Sequence, residues 1–356
     1  MKRVLVLYRE MAGYMLESLR FFAEKWNVEV DVVVYPVNAD APFQFQSKYP
    51  IAFFSYSDCS IQQLNQLHTE KKYDLVLCGS WNDKMYLEFI RQHKDLPAVL
   101  AFDKQWQGTW KDWLRCAFLR LRVKPLFRAA FVAGMEQRVF AQKMGFNNKD
   151  VFEGVYCCSF DAFQKVFEQR MNKPFAKKIW FVGRYAYEKE VDMLFQAFAD
   201  LHQNELSQWQ LHAVGVGPLY DNRLIHPAIV HHGFLQPNEL VDRIADGAAF
   251  VLPSSYEPWG LVVQEFALAG YPLLLSSHVG ARTAFLEHGK NGFLFSSGSK
   301  EELKKALLLL AQLPQNRLVE MANESHRLAT TINPVLWADT VYHMIGSFSQ
   351  DSNRMG

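Results

Sequence analysis

The chain has 356 residues, 49% hydrophobic and 21% charged, with a formal net charge of +1. That length exceeds what one core usually organises, so two domains are expected; the apolar share excludes a largely disordered chain, and the near balance of charge excludes nucleic-acid binding through bulk charge. The five cysteines, Cys59, Cys78, Cys116, Cys157 and Cys158, are odd in number and lack C-x-x-C spacing, which argues against a disulfide scaffold or a zinc site and for a reducing cytoplasm.

The first half alternates two patterns. Residues 4–8, 30–34, 75–78 and 98–102 are apolar runs of strand length, and 16–26, 64–68 and 86–91 between them have apolar positions at helical spacing. Strands separated by helices imply a parallel sheet covered on its faces. Lys2 and Arg3 precede an apolar run too short for a signal peptide, so that run reads as the first strand. No stretch reaches the roughly 18 apolar residues that a membrane-crossing helix needs. Between 104 and 143, nine Lys or Arg stand against Asp112 and Glu136, a local net charge of +7 that leaves −6 for the remainder. Trp106, Trp110, Trp113, Phe118, Leu119, Leu121 and Phe127 interleave with those cations. Such a segment suits the headgroup zone of an anionic membrane, or else a helix pair packed on its own sheet with a solvated basic face. Single-stranded RNA would use similar residues, but no RNA-binding motif accompanies them and no nucleic-acid partner is expected.

A second alternation begins near Ile179. Lys178-Ile-Trp-Phe-Val-Gly183 is a buried-strand run, 184–190 is a polar connection, and Val191, Leu194, Phe195, Phe198 and Leu201 recur at helical spacing. Arg184 and Lys189 therefore sit in a strand-to-helix loop. They read either as cations for a phosphate or as surface charges, one of them paired with Glu188 or Glu190. Leu211 leads a strand ending in a glycine turn at Gly215 and Gly217, and His231-His-Gly-Phe-Leu-Gln236 is another strand and turn. Its histidines read as strand-end residues, since no third ligand-type residue is near. Residues 248–254 form an apolar strand ending in turn residues, and 261–269 is helical in pattern, closed by Gly270 and Pro272. Between them lies Glu257-Pro-Trp-Gly-Leu-Val-Val-Gln-Glu265, two carboxylates around a glycine that opens the helix. Gly260 lets backbone approach a ligand, and the N–H groups of Leu261, Val262 and Val263, unpaired at a helix start, suit a phosphate. Glu265, about one turn on, leans back toward that start and reaches a group just beyond the phosphates, such as a ribose. A plainer alternative makes Ser254 and Glu257 a capping box and Glu265 a solvated helix residue. Further on, 289–295 is a run of strand length, and Ser299-Lys-Glu-Glu302 is a capping box opening an apolar helix to Leu313.

Pro-Ser-Ser-Tyr-Glu-Pro-Trp-Gly at 253–260, continued by Glu-Phe-Ala-Leu-Ala-Gly-Tyr-Pro at 265–272, resembles the E-P-x-G-x4-E and E-A-x-A-x-G-x-P signature of the retaining nucleotide-sugar glycosyltransferases of family 4. The likeness runs with gaps over roughly 150–345 and is weaker in the N-terminal half. It implies the GT-B fold, an α/β chain of two Rossmann-like domains facing across a cleft. Residues 1–172 would bind the acceptor, 173–332 the nucleotide sugar, and the helix in 333–356 would cross back to the first domain. The implied activity moves a hexose-type sugar from a nucleoside diphosphate to a hydroxyl of a cell-surface glycan or its lipid-linked precursor. It would do so with retention and without metal or cofactor, in the cytoplasm or on the inner face of the membrane.

On the same resemblance, Arg184 and Lys189 clamp the donor diphosphate, Glu257 orients sugar hydroxyls and Glu265 holds the ribose. Gly260 and the amides of Leu261 and Val262 meet the phosphates, and Gly215, Gly233, Phe234 and Leu235 border the nucleobase. Gly13 stands where the family has a glycine-rich loop near the phosphates, here with a single glycine. Asp103 stands where many members place a histidine near the reacting carbon. It would orient an acceptor hydroxyl or stabilise positive charge on the sugar, or else cap the next helix. Two further departures are Glu190, where a glycine commonly follows the lysine, and Gly280-Ala-Arg-Thr283, where a Gly-Gly turn with an acidic residue is common. The same fold leaves open a nucleotide-sugar epimerase, and a catalytically silent sugar-nucleotide-binding partner.

Overall fold

In the computed structural model, which describes residues 1–9, 11, 13–35 and 50–354, the apolar runs of the first half become a seven-stranded parallel sheet. Its strands are β1 (Lys2–Tyr8), β2 (Val28–Val34), β3 (Ile51–Ser55), β4 (Leu75–Cys78), β5 (Ala98–Phe102), β6 (Ala129–Val132) and β7 (Val151–Glu153), in the order β3-β2-β1-β4-β5-β6-β7. A second parallel sheet holds β8 (Lys178–Val182), β9 (Gln210–Val214), β10 (Ile229–Gly233), β11 (Ala249–Leu252), β12 (Leu273–Ser276) and β13 (Gly292–Phe295), in the order β10-β9-β8-β11-β12-β13. Each sheet grows outward from its first strand and then reverses, so each is Rossmann-like. Their topological switch points lie between β1 and β4 and between β8 and β11.

Helices supply the crossovers: α1 (Gly13–Trp26), α2 (Ile61–Lys71), α3 (Lys84–Gln92), α4 (Trp110–Arg122), α5 (Met135–Lys143), α6 (Phe160–Arg170), α7 (Val191–His202), α8 (Pro237–Arg243), α9 (Leu261–Leu268), α10 (Arg282–Phe285), α11 (Lys300–Ala311), α12 (Gln315–Ala329) and α13 (Pro334–Arg354). The central strands are mostly apolar because both faces are covered; Leu5, Val6 and Leu7 of β1 and Phe250, Val251 and Leu252 of β11 are fully buried. Ser299 accepts from the Glu302 amide at 3.3 Å, but the Glu302 carboxylate turns back to the Ser296 amide at 2.7 Å. Only half of the expected capping box forms, because Ser296 offers an earlier unpaired N–H. None of the helices among the described residues is long and apolar enough to cross a membrane. None of the five cysteines is in a disulfide.

The chain divides into a first unit, Met1–Cys157 with Ile332–Gly356, and a second, Cys158–Thr331. The first unit is closed by α13. Trp337 is buried edge-on to Phe22 of α1 at 6.1 Å and donates from Nε1 to the Val155 carbonyl at 2.9 Å. Alongside, Trp26 stacks on Tyr342 at 3.9 Å and Lys25 pairs with Asp339. The division falls at 157/158, where the sequence reading put it at 172/173, because α6 packs on α8 and α9 of the second unit. Its Arg170 is buried and donates to the carbonyls of Ala269 at 2.9 Å, Gly247 at 3.1 Å and Gly270 at 3.2 Å. The guanidinium also lies 3.4 Å over the Tyr271 ring, so three carbonyls and a ring meet a charge that burial would otherwise disfavour.

Candidate functional site at the second switch point

Two loops leave the carboxyl ends of β8 and β11, the strands flanking the second switch point. The β8 loop runs from Gly183 through a 3-10 turn at Tyr187–Lys189 to Glu190, which takes left-handed backbone (φ 53°, ψ 37°) and opens α7. That explains the glycine seen in the family at this place: Glu190 adopts a conformation that glycine adopts at no steric cost. The β11 loop runs from Pro253 to Gly260. The Ser255 amide donates to the Glu188 carbonyl at 2.9 Å, which ties the two loops together.

Across that tie Lys189 forms an ion pair with Glu257, their side chains only 19% and 12% exposed. Arg184 is more than half exposed, with Nη2 3.2 Å from Glu188 Oε1. A hydrogen bond from its own backbone amide, and then Arg184, hold the Glu188 carboxyl below its usual range. The pairing alternative is thus realised for Arg184, through Glu188. Lys189 takes Glu257, and Glu190 takes neither cation.

A third loop, after β12, fixes the backbone around Glu257. Glu257 donates to His278 O at 3.3 Å and accepts from the Gly280 amide at 2.9 Å, while the Ala281 amide donates to Trp259 O at 2.8 Å. A Cβ on Gly280 would come within 2.0 Å of Pro258 O. The Gly280-Ala-Arg-Thr departure therefore keeps the glycine that matters here, the one that lets two backbones touch. Trp259 is buried beneath, edge-on to Phe285 at 5.8 Å.

Gly260 opens α9 with φ 89°. Val263 N–H already donates to Gly260 O at 2.9 Å, in a tight first turn. This corrects the expectation of three open amides: of the three, Leu261 and Val262 stay as the first two helical positions, whose N–H groups have no carbonyl a turn behind them in the helix. The capping box of Ser254 and Glu257 does not form either, since Gly260 is the cap, and the Ser254 hydroxyl is buried with no hydrogen-bond partner among the described residues. Glu265 is half-buried one turn into α9.

Glycines make the neighbouring edge. Gly183 N–H donates to Val214 O at 3.0 Å, and Gly215 N–H to Gly233 O at 2.7 Å. A Cβ on Gly215 would lie 2.0 Å from Gly183 O, and one on Gly217 2.6 Å from Tyr185 O. Gly233 (φ 69°) ends β10 at a register shift, followed by exposed Phe234 and half-buried Leu235. The structure thus gathers Arg184, Lys189, Gly215, Gly233, Phe234, Leu235, Glu257, Gly260, Leu261, Val262 and Glu265 at the carboxyl ends of β8 to β11 and in the loops they lead into, where doubly wound sheets bind ligands.

Gly13 and Asp103 belong to the first unit, after β1 and β5. Asp103 does not cap the next helix. Thr109 does, accepting from the Asp112 amide at 3.2 Å, while the Asp103 carbonyl accepts from Gln137 at 3.0 Å. Tyr8 and Tyr156, which sequence patterning did not single out, stand near it. Burial pushes both phenols well up, with the Asp103 charge adding to the rise, and the Tyr8 hydroxyl is buried with no partner among the described residues.

The histidines at the end of β10 are built into the sheet. His231 bonds the Tyr185 hydroxyl at 2.9 Å and Leu224 O at 3.0 Å, and His232 bonds His212 at 3.0 Å beside Trp180. Burial, then the neighbouring His232, brings His212 down to about 4. Among the described residues no three His, Cys, Asp or Glu side chains stand together as a metal-ligand group.

Residues 163–327 match the family model described as glycosyl transferases group 1. An uncharacterized glycosyltransferase of Methanocaldococcus jannaschii is 31% identical over 33% of this chain and 31% of its own length. Sulfoquinovosyl transferase SQD2 of Arabidopsis thaliana is 34% identical over 34% of this chain and 24% of its own length. The chain therefore spans about a quarter to a third of the curated relatives it matches. Among solved structures, Anabaena HepE in complex with UDP and glucose superposes with a TM-score of 0.70 at 16% identity, over 98% of this chain and 100% of that one. The chain has the two-sheet GT-B fold, and nearly all of its second unit, residues 163–327, matches the glycosyl transferases group 1 family.

Proposed function

We propose that the chain is a retaining glycosyltransferase that moves a sugar from a nucleoside diphosphate to an acceptor hydroxyl. The observation that carries this reading is the Lys189–Glu257 pair at the β8/β11 switch point, with Arg184 and the Leu261 and Val262 amides on the same two loops. Cations and N–H donors suited to a diphosphate stand next to a carboxylate suited to sugar hydroxyls. Donor binding parts the pair: the diphosphate takes Lys189 and Arg184, and the freed Glu257 carboxylate accepts from the sugar. Glu265 takes the ribose; in the first unit, Asp103 is the residue assigned to an acceptor hydroxyl. The bond from the anomeric carbon to the phosphate oxygen breaks as the acceptor oxygen bonds to the same face, and the acceptor proton passes to the departing phosphate. Fixed cations at that oxygen contribute several kcal/mol in a water-poor site.

HepE, whose structure holds UDP and glucose, makes a uridine donor the first to test. We place the acceptor on a cell-surface glycan or its lipid-linked precursor, built in the cytoplasm. The decisive experiment incubates the chain with UDP-, GDP- and ADP-sugars and follows nucleotide release with and without a glycan acceptor. Acceptor-dependent release with the donor's anomeric configuration kept in the product is the expected result. Release with an epimerised free sugar and no acceptor would make the chain an epimerase, and binding without turnover would make it a silent partner. Because protein cations meet the diphosphate charge, turnover is expected to persist in excess EDTA; loss on chelation, restored by magnesium or manganese, would contradict metal-free transfer.

A further inference from the structure

Helix α4 carries two apolar faces. One, with Cys116 and Leu119 and continued by Val123, is buried in the first unit's core. The other is a second stripe, Trp110, Trp113, Leu114, Phe118 and Leu121, at spacings that a 3.6-residue period brings to one side. Its members are exposed, from 55% for Trp113 to 76% for Leu121. On the same period Lys111, Arg115 and Arg122 fall along one flank of this stripe and Arg120 along the other. Lys111 lies 5.8 Å from the Trp110 ring and Lys143 of α5 lies 4.8 Å from the Trp113 ring. The sequence offered two alternatives for this segment, and the structure splits them: Leu119 and Phe127 are buried, while the stripe faces water.

We propose that this outer face of α4 docks on an anionic lipid surface. Trp110, Trp113, Leu114, Phe118 and Leu121 enter the headgroup–acyl boundary while the flanking cations reach the headgroup charges, the division of labour of an interfacial helix. A patch of large apolar side chains on one helix is more than scattered surface exposure accounts for. Charge selects the occupant. Pairing two copies through this stripe would bring the cationic flanks against each other, and like charges brought together disfavour that pairing. A negatively charged bilayer meets both flanks at once. The inference does not depend on sugar transfer, because its readout is lipid binding.

The test sediments the full chain with vesicles of equal parts phosphatidylglycerol and phosphatidylcholine, against vesicles of phosphatidylcholine alone, at low and moderate salt. The wild type should pellet with the anionic vesicles at low salt, stay in solution with the neutral ones, and be released as salt shortens the Debye length to about 10 Å. Trp110→Ser with Phe118→Ser and Leu121→Ser should abolish pelleting. Lys111→Gln with Arg120→Gln and Arg122→Gln should lower the partition coefficient on the order of a hundredfold. Arg115 is left in place because it pairs with buried Asp112 at 3.3 Å. Thermal melts separate lost docking from lost folding, and the lipid-charge and salt dependence of the wild type decides the matter without any variant. Failure of the wild type to pellet, undiminished pelleting of the apolar variant, or a dimer dissolved by that variant in place of vesicle binding would each overturn the proposal.

Discussion

Lys189 and Glu257 neutralise each other in a place where neither is well hydrated, so each is held ready by the other. Taking away one partner strands the second: Glu257→Gln should cost about 2 kcal/mol of stability as well as activity. The kinetic signatures of the neighbouring residues differ. Lys189→Ala removes charge stabilisation from the transition state and should lower kcat, whereas Glu265→Ala removes a ribose contact and should raise KM for the donor. Steady-state kinetics with every accepted donor checks this, and wild-type constants for both variants would displace the site. His212 provides a pH marker. Its value, about 4 in the folded chain against about 6.5 unfolded, means that its contribution is complete above pH 6.5 and is lost as pH falls toward 4. The stability difference between wild type and His212→Gln should therefore shrink by up to about 3 kcal/mol across that window in denaturant titrations.

At the scale of elements, the β8 loop stores a small strain. Glu190 holds left-handed backbone at φ 53° with a side chain that disfavours it, so Glu190→Gly should stabilise the second unit by roughly 0.5–1 kcal/mol. A lowered urea midpoint would show that the side chain earns its place by a contact instead. The loops themselves were legible. Strands β1, β2, β4, β5, β8, β9, β11 and β13 announce themselves as apolar runs, β10 by the turn that ends it, and the glycines and charges behind them put Arg184, Lys189, Gly215 and Gly260 in the loops that follow, whereas β12 was hidden behind the close of the helix before it. Strands β6 and β7 were not legible, since Ala-Ala-Phe-Val at 129–132 and three residues at 151–153 give too short a period. Pairings were illegible for another reason. Lys189 and Glu257 are 68 positions apart, and two candidate carboxylates, Glu188 and Glu190, stood closer in sequence. The Val263 amide was misjudged because helical periodicity does not show whether the first turn tightens.

At the scale of the whole molecule, the second unit is an insertion: Cys158–Thr331 is continuous, while the first unit is assembled from both ends of the chain. Ending the chain after Thr331 removes Trp337 from against Phe22 and Phe131, exposing an apolar face of α1. The truncated chain should lose the first unit's thermal transition, or show it at much lower temperature, while the transition of the second unit persists; one unchanged cooperative transition by calorimetry would contradict this division. The same arrangement sets a timetable during synthesis. The second unit has every residue it needs once Thr331 has emerged, but the first, although made earlier, must wait with its α1 face open until α13 leaves the ribosome. The first unit begins before the second and is completed after it, so a chaperone that binds exposed aromatic faces would meet Phe22 and its neighbours until α13 emerges.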